Sequence, residues 1–549
     1  MTENTNYWLK NRVGRRSMLR GAGLATAGLA GAALIGCGSD DDSGNANGGG
    51  GNGSDGTATA TQPAGAARRG GTVTFRRASN VAFTDPMRQS GGYDPTVTRL
   101  YAETLLGATP DGQLLPMLAE SWEVEPERVV LNLRQDVKFG DGTPFNAEAV
   151  RYTFERGQSA ELAAPVRSTH VQVGEVETPD DYTAILHLNE PNVAFISNLA
   201  QNPGAIISPT AHSEAGDDRF NAHPVGAGPF KVERIEQDGE SIFVRDPEWP
   251  MQGEDGSALP YLDEVRLRII PEDAVSIAAL AAGEIELDYV VQESDIEQLR
   301  RRDGIEVDIQ DGIRWAVIEM IINKGVTEDD RVRKALNYAI DREESVAVLS
   351  NGVGTVAHGS LNELSWAYDP TVPYYDYDPD EAMKHLAAAG YDDPSSLQLS
   401  IATYDAPQAE LAQAQLSRLG IRVEVEALEL AVYQDEFRAK GNIPLGTAGG
   451  PSVVGDPDTF FRQRYGSAGA YNPGRPENPE FDELIRRGAE EPDQEARKEI
   501  YSQIQQMSYD WAYRIWVVRR PSSRARTEKL QNLIWNGYNS RLMEAWLEG

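Results

Sequence analysis

The sequence predicts an α/β fold, and three observations carry the prediction. Runs of alternating apolar and polar residues recur from Gly71 onward, helices with well-marked caps lie between them, and about 480 residues follow a low-complexity leader. That length is enough for two or three domains with sizeable cores.

Val129 to Phe139 alternates apolar with polar residues, Asp141-Gly142 marks a turn, and Asn146 is placed to cap a helix carrying Val150 and Phe154 on one face. This spacing predicts strand, turn and helix in that order. Phe230 to Val244 predicts a hairpin about Asp238-Gly239, and Val265, Leu267 and Ile269 predict a half-buried strand. The middle of the chain is more helical. Val332, Leu336 and Ile340 recur every four residues, and Asp341 with Glu344 offers a capping box for the helix that follows. Asp378 as cap, Pro379 at the first helical position, Glu381 three residues after the cap and Gly390 as the stop delimit a third helix. Asn478-Pro479 opens another in the same way, and Ile500, Ile504, Met507 and Trp511 give a long apolar face that reads as core. There is no internal repeat of solenoid length.

The start of the chain reads as an address. Lys10, Arg12, Arg15, Arg16 and Arg20 precede an apolar stretch from Leu24 to Ile35 that is too short, and too rich in Gly and Ala, for a mature membrane helix. Arg15-Arg16 followed by Ser17-Met18-Leu19-Arg20 resembles a twin-arginine export motif; an ordinary secretory n-region is the competing reading. Leu34-Ile35-Gly36-Cys37 resembles a lipobox, with cleavage before Cys37 and lipid on its sulfur. Cys37 is the only cysteine, so no intrachain disulfide is possible and the core alone must hold the fold. From Gly38 to about Gly70 bulky apolar side chains are almost absent, so ordering this stretch would cost more than its burial returns. It reads as a disordered tether with a reach of about 30 Å.

Loss of residues 1–36, five basic and one acidic, moves the formal charge from −34 to −38. That balance excludes nucleic acid as a partner, because phosphates need a basic footprint. It does not identify a ligand, since acidic surfaces also keep secreted proteins soluble. The histidines at 170, 187, 212, 223, 358 and 385 form no close i, i+4 pair and have no cysteine partners, so neither a metal site nor a cofactor is expected. A secreted hydrolase is the rival class. Among 85 carboxylates some pair always falls at a catalytic separation, so pairing alone says nothing. No nucleophile elbow, His-Glu-x-x-His or phosphate-cradling glycine loop is present, and catalysis is not expected.

Six segments, in order, carry a likeness over nearly the whole mature chain: "YAETLLGATPDGQLLPMLAESWEV", "LNLRQDVKFGDGTPFNAEAVRYTFER", "PVGAGPFKVERI", "YLDEVRLRIIPEDAVSIAALAAGEIELDYV", "DDRVRKALNYAIDREESV" and "YDYDPDEAMKHLAAAGY". Together they resemble the large extracellular solute-binding proteins of peptide and nickel importers, the dipeptide- and oligopeptide-binding family. The resemblance implies a two-lobed periplasmic-binding-protein fold of type II, with an extra subdomain in the first lobe and crossover strands near Ile313 to Ile322 and Ile515 to Arg520. On this reading residues 1–36 are signal, 37–70 tether, 71–314 lobe I with its inserted subdomain, 315–516 lobe II, and 517–549 the return to lobe I. The implied function is the substrate-binding component of an ABC importer. It would act as a monomer held by Cys37 at the outer face of the cytoplasmic membrane, clamping a small solute between the lobes and passing it to a permease. A peptide is the family's commonest solute; an oligosaccharide, an opine or a metal chelate is the alternative.

In peptide-binding relatives an aspartate three positions before an acidic residue-Pro pair meets the peptide's ammonium group. Here the pair is Asp456-Pro457 and that position holds Val453, while Gly449-Gly450 stand where an aromatic residue is usual. A buried ammonium without a carboxylate costs several kcal/mol, so free-N-terminus recognition is not implied. Asp456 has two readings, a cleft carboxylate and, with Pro457 behind it, an N-cap. Tyr93, Trp315, Trp366, Phe460 and Tyr471 fall in cleft-proximal segments by family position, where stacking on a ligand competes with ordinary packing. Asn80 and Asp85 lie where the first strand reaches the cleft, with a plain turn as the equal alternative.

Overall fold

The computed structural model describes residues 68–79, 84–89, 95–109, 112–162, 164–236, 239–453, 455–535 and 540–548. Arg15, Arg16, Cys37, Asn80, Tyr93 and the Asp238 turn position lie outside them.

Three groups of elements build the molecule. The first comprises β1 (Thr72–Arg77) and a four-stranded antiparallel sheet of β2 (Ala119–Glu125), β3 (Arg128–Leu133), β4 (Val173–Asp180) and β5 (Thr183–Leu188), with α1 (Ala147–Gln158) between β3 and β4. The second comprises β6 (Phe230–Arg234), β7 (Glu240–Arg245), β8 (Glu264–Ile269) and β9 (Leu287–Asp288). The third opens with the long β10 (Ile305–Met320) and continues through α2 (Asp330–Ala339), α3 (Arg342–Leu349), α4 (Pro379–Ala388), β11 (Gln398–Thr403), α5 (Ala406–Arg418), β12 (Arg422–Ala427) and β13 (Leu445–Pro451). It ends with α6 (Asp458–Arg464), α7 (Pro479–Glu490), α8 (Gln494–Asp510) and the long β14 (Arg514–Thr527).

Local chemistry explains the boundaries. Asn146 accepts from the Ala149 amide at 3.1 Å, Asp341 from Glu344 at 2.9 Å and Asp378 from Glu381 at 2.9 Å, so each helix starts where its cap supplies an acceptor for a free N–H. Gly390 takes a φ of +94°, the left-handed stop that follows α4. Asn478 departs from the expected pattern. It precedes Pro479, but its side-chain amide donates instead to the Tyr465 carbonyl at 3.3 Å and the Tyr513 hydroxyl at 2.8 Å. The run from Val129 also differs from its periodicity, because the strand ends at Leu133. Arg134 then donates to the Leu118 carbonyl, and Phe139 and Thr143 close a turn in which Gly142 has a φ of +86°. Val137 and Phe139 stay buried without sheet pairing.

One sheet of eleven strands runs through both halves, along the path β12-β11-β13-β10-β14-β9-β1-β8-β7-β6 with the short strand Thr355–Val356 on the side of β14. β10 and β14 are its spine. Their lower halves pair from Ile305↔Thr527 to Gln310↔Ser522, and their upper halves resume at Arg314↔Arg520, a register break that inserts two extra residues in β10. Below the break β14 joins β9, and above it β10 joins β13. The apolar cores divide at the same place. Clusters on one side draw on residues 73–309 and 525–547, Val353 apart, and those on the other on residues 315–518. This is a two-lobed α/β fold whose lobes share two strands, with the four-stranded sheet and α1 forming a subdomain of the first lobe.

Candidate functional site

The crossover region is where backbone from both lobes meets. Arg520, at the break, forms a forked ion pair with Glu293 of the first lobe at 3.1 and 3.2 Å. The Asn362 amide donates to the Gly312 carbonyl at 2.9 Å, inside the two-residue insertion. Further out, Gly455 abuts Gly112 closely enough that a Cβ on Gly455 would stand 3.3 Å from the Gly112 oxygen. Thr459 reaches Asn198 at 3.5 Å. The segment from Gly455 to the start of α6 therefore forms the second lobe's rim against the first.

Behind that rim lies a cluster of aromatic rings and guanidinium groups. Trp315, in β10, is 2% exposed, with its indole N–H donating to the Pro451 carbonyl at 2.7 Å. Phe460 packs edge-on to Trp315 at 6.5 Å between ring centroids and lies 6.3 Å from Trp516. One helical turn on, Arg464 lies on the same face of α6. Its guanidinium sits 4.8 Å from the Trp315 ring, 5.1 Å from Phe460 and 4.8 Å from Tyr471. The Nε of Arg464 is sealed and has no hydrogen-bond partner, while the residue as a whole is half-buried and keeps contact with water. Burial pushes its pKa down to about 10; Glu319 opposes the fall, and Arg514 and Arg438 add to it, so the group is charged at neutral pH.

Arg438 lies 2.9 Å and Arg514 3.5 Å from Glu319, whose carboxylate is wholly buried and has no well-directed hydrogen bond on either oxygen. Arg514 also donates to the Arg464 carbonyl at 2.8 Å and the Tyr471 carbonyl at 3.1 Å. Tyr471 is 39% exposed and Tyr404, 5.0 Å from Tyr433, is 45% exposed, so both offer ring surface to solvent beside the buried charges.

Trp315, Phe460 and Tyr471 thus come together. Trp366, Val453 and Asp456 form a second group against α8. Val453 and Trp366 are partly buried in an apolar cluster with Phe461 and Tyr501. Asp456 is forked to Arg497 at 2.6 and 2.9 Å and accepts from the Asp458 amide at 3.0 Å. Asp85 stands apart from both groups. It is fully buried in the first lobe, bound to Arg156 of α1 and accepting from the Met87 amide at 3.0 Å. Arg464, Arg438, Arg514, Glu319 and Tyr404 were not singled out in the sequence. The one local signal was the four-residue spacing of Phe460 and Arg464.

Comparison with known proteins matches this architecture. The model of the bacterial extracellular solute-binding proteins, family 5, matches residues 113–472. The chain is 30% identical over 387 residues to the glutathione-binding protein GsiB of Salmonella typhi, covering 70% of this chain and 74% of that one. It is 26% identical over 454 residues to GsiB of Pectobacterium atrosepticum, covering 80% and 86%. The fold superposes with a TM-score of 0.75 on the periplasmic binding protein DppA of Helicobacter pylori in complex with the peptide STSA, at 24% identity, covering 88% of this chain and 99% of that one. The chain belongs to the family 5 bacterial extracellular solute-binding proteins.

Proposed function

We propose that this chain is the binding component of an ABC importer and takes its solute between the two lobes, at the wall formed by Trp315, Phe460, Arg464, Tyr471 and Tyr404. The observation that carries the site is Arg464. It is a charged group enclosed by three rings, with water at its tip, in the helix whose first turn touches the other lobe. Among the described residues two strands pass between the lobes, so a small change at the β10 register break alters the gap between them, and closure over a solute is what a permease can sense. We place lobe I at 71–314, lobe II at 315–516 and the return at 517–549, with Val517 and Val518 still packed in the second lobe's core.

A peptide is the first solute to test, since the relative GsiB is named glutathione-binding and the structural neighbour DppA is in complex with a peptide. Val453 supplies no carboxylate for a free ammonium group, which favours solutes held by another end, an opine or a metal chelate included. Native mass spectrometry of protein from its host tests this directly, and a solute at 100 times its Kd adds about 2.7 kcal/mol to stability. Retention of bound solute supports the reading; absence of any thermal shift across peptides, sugars, opines and chelates counts against it. The anchor is proposed on Cys37, behind the Arg15-Arg16 signal. Cys37→Ser is expected to release the protein from membranes, and unchanged retention would refute the lipid attachment.

A further inference from the structure

We infer that the solute carries a carboxylate and that Arg464 receives it, an assignment that rests on the interlobe reading above. The argument begins with how this protein treats its other enclosed arginines. Arg497 faces Asp456, Arg156 faces Asp85, Arg76 faces Asp288 and Arg524 faces Asp308. Arg342 and Arg333 spend their donors on backbone carbonyls instead. Among the described residues Arg464 has neither a carboxylate within ion-pair distance nor a carbonyl for its guanidinium, and its Nε is sealed without a partner. The two terminal nitrogens of Arg464 are not sealed, so an incoming acceptor can reach them without displacing a protein partner.

The neighbourhood sharpens the point. Arg438 and Arg514 pair with the one carboxylate here, Glu319, which Arg464 feels only at longer range, so three guanidinium groups stand against one negative charge. Arg438 and Arg514 each keep a buried Nε and Nη1 that make no hydrogen bond, and the Arg514 Nε has only the 3.5 Å ion pair with Glu319. An anion arriving at Arg464 therefore enters an attractive field, while a cationic end is repelled. The rings decide the kind of anion. The flat fork of Arg464 matches a carboxylate, and the exposed Tyr471 ring with the half-buried Phe460 beside it offers apolar surface to an organic body. A small inorganic ion would leave that surface bare.

Calorimetric titration of the purified, dialysed protein tests the assignment, with glutathione, dialanine, dialanine amide, succinate, maltose and sulfate as probes. At least one organic carboxylate is expected to bind, and its amide counterpart to bind about tenfold or more weakly. Arg464→Met is expected to weaken the carboxylate by about 10- to 100-fold, well beyond its effect on any neutral probe, with Arg464→Lys falling between. Unchanged far-UV circular dichroism establishes that each variant is folded. Equal binding of acid and amide, an affinity indifferent to Arg464→Met, or sulfate binding as tightly as any carboxylate would overturn the assignment and leave the cleft reading standing. No saturable binding by any probe, charged or neutral, would overturn both.

Discussion

Arg497→Met strands a carboxylate inside the second lobe. Arg497 is wholly buried and the Asp456 side chain is 3% exposed, so water screens neither charge. The fork between them is made at 2.6 and 2.9 Å, and Arg497 also donates to the Gly488 carbonyl and the Tyr501 hydroxyl, both at 2.8 Å. Removing one member of such a pair leaves the other desolvated and unpaired, a loss of about 3–5 kcal/mol. Asp456→Asn should cost less, because Arg497 keeps two other acceptors. The double variant should cost less than the sum of the singles by about 1–3 kcal/mol, the coupling expected of residues in one network. Equilibrium urea denaturation followed by tryptophan fluorescence reads all three values. Single losses below about 1 kcal/mol that simply add would refute the account. The outcome bears on function, because Asp456 anchors the turn that sets Gly455 against the first lobe. On this argument Asp456→Asn acts on stability first; a loss of solute affinity with stability intact would make it a direct contact instead.

Two further perturbations probe other parts of the structure. His170 is wholly buried, stacked 4.3 Å from Phe154, with Nε2 2.8 Å from the Pro203 carbonyl, and burial depresses its pKa from 6.5 to about 4. Its contribution is fully present above pH 6.5 and is lost as pH falls through 4, by about 3 kcal/mol in all. Urea titrations between pH 7 and pH 4 should show that slope and His170→Phe should flatten it; an unchanged slope contradicts the burial argument. Glu293→Gln removes the charge that ties Arg520 to the first lobe across the register break. This partly exposed pair is worth about 1 kcal/mol or less, so the lobes should shift by at most about fivefold toward separation. Small-angle scattering would show a larger radius of gyration without solute, and an identical profile would exclude the pair as a brace.

What could be read along the chain was whatever is decided within a few residues. The caps at Asn146, Asp341 and Asp378 are contacts between positions three apart, so residue type and spacing specify them. Asn478 had the same local signature, but its amide found a carbonyl 13 positions back and a hydroxyl 35 positions on. Those acceptors lie just past α6 and just before β14 and are brought to Asn478 as α7 packs against α6 and α8, which no local pattern records. The run from Val129 likewise kept its alternation past Leu133, but the sheet partners ended there and the remaining apolar side chains were buried by a turn.

The site divides in the same way. Trp315, Phe460 and Tyr471 could be named from family position, and they converge because β10, α6 and the loop after α6 meet at one end of the second lobe. Asp85 and Asp456 could be named too, but their partners lie 71 and 41 positions away, and those partners turn both carboxylates into structural anchors. The sequence by itself determined the α/β alternation, the helix starts and the family likeness, because periodicity and capping act over a few residues and six ordered segments rarely arise by chance. Only the tertiary structure decided that Arg438 and Arg514 would pair with Glu319 and that Arg464, beside them, would be left without a carboxylate among the described residues. Charge balance in a buried space depends on which distant side chains arrive there, and separation along the chain does not encode that.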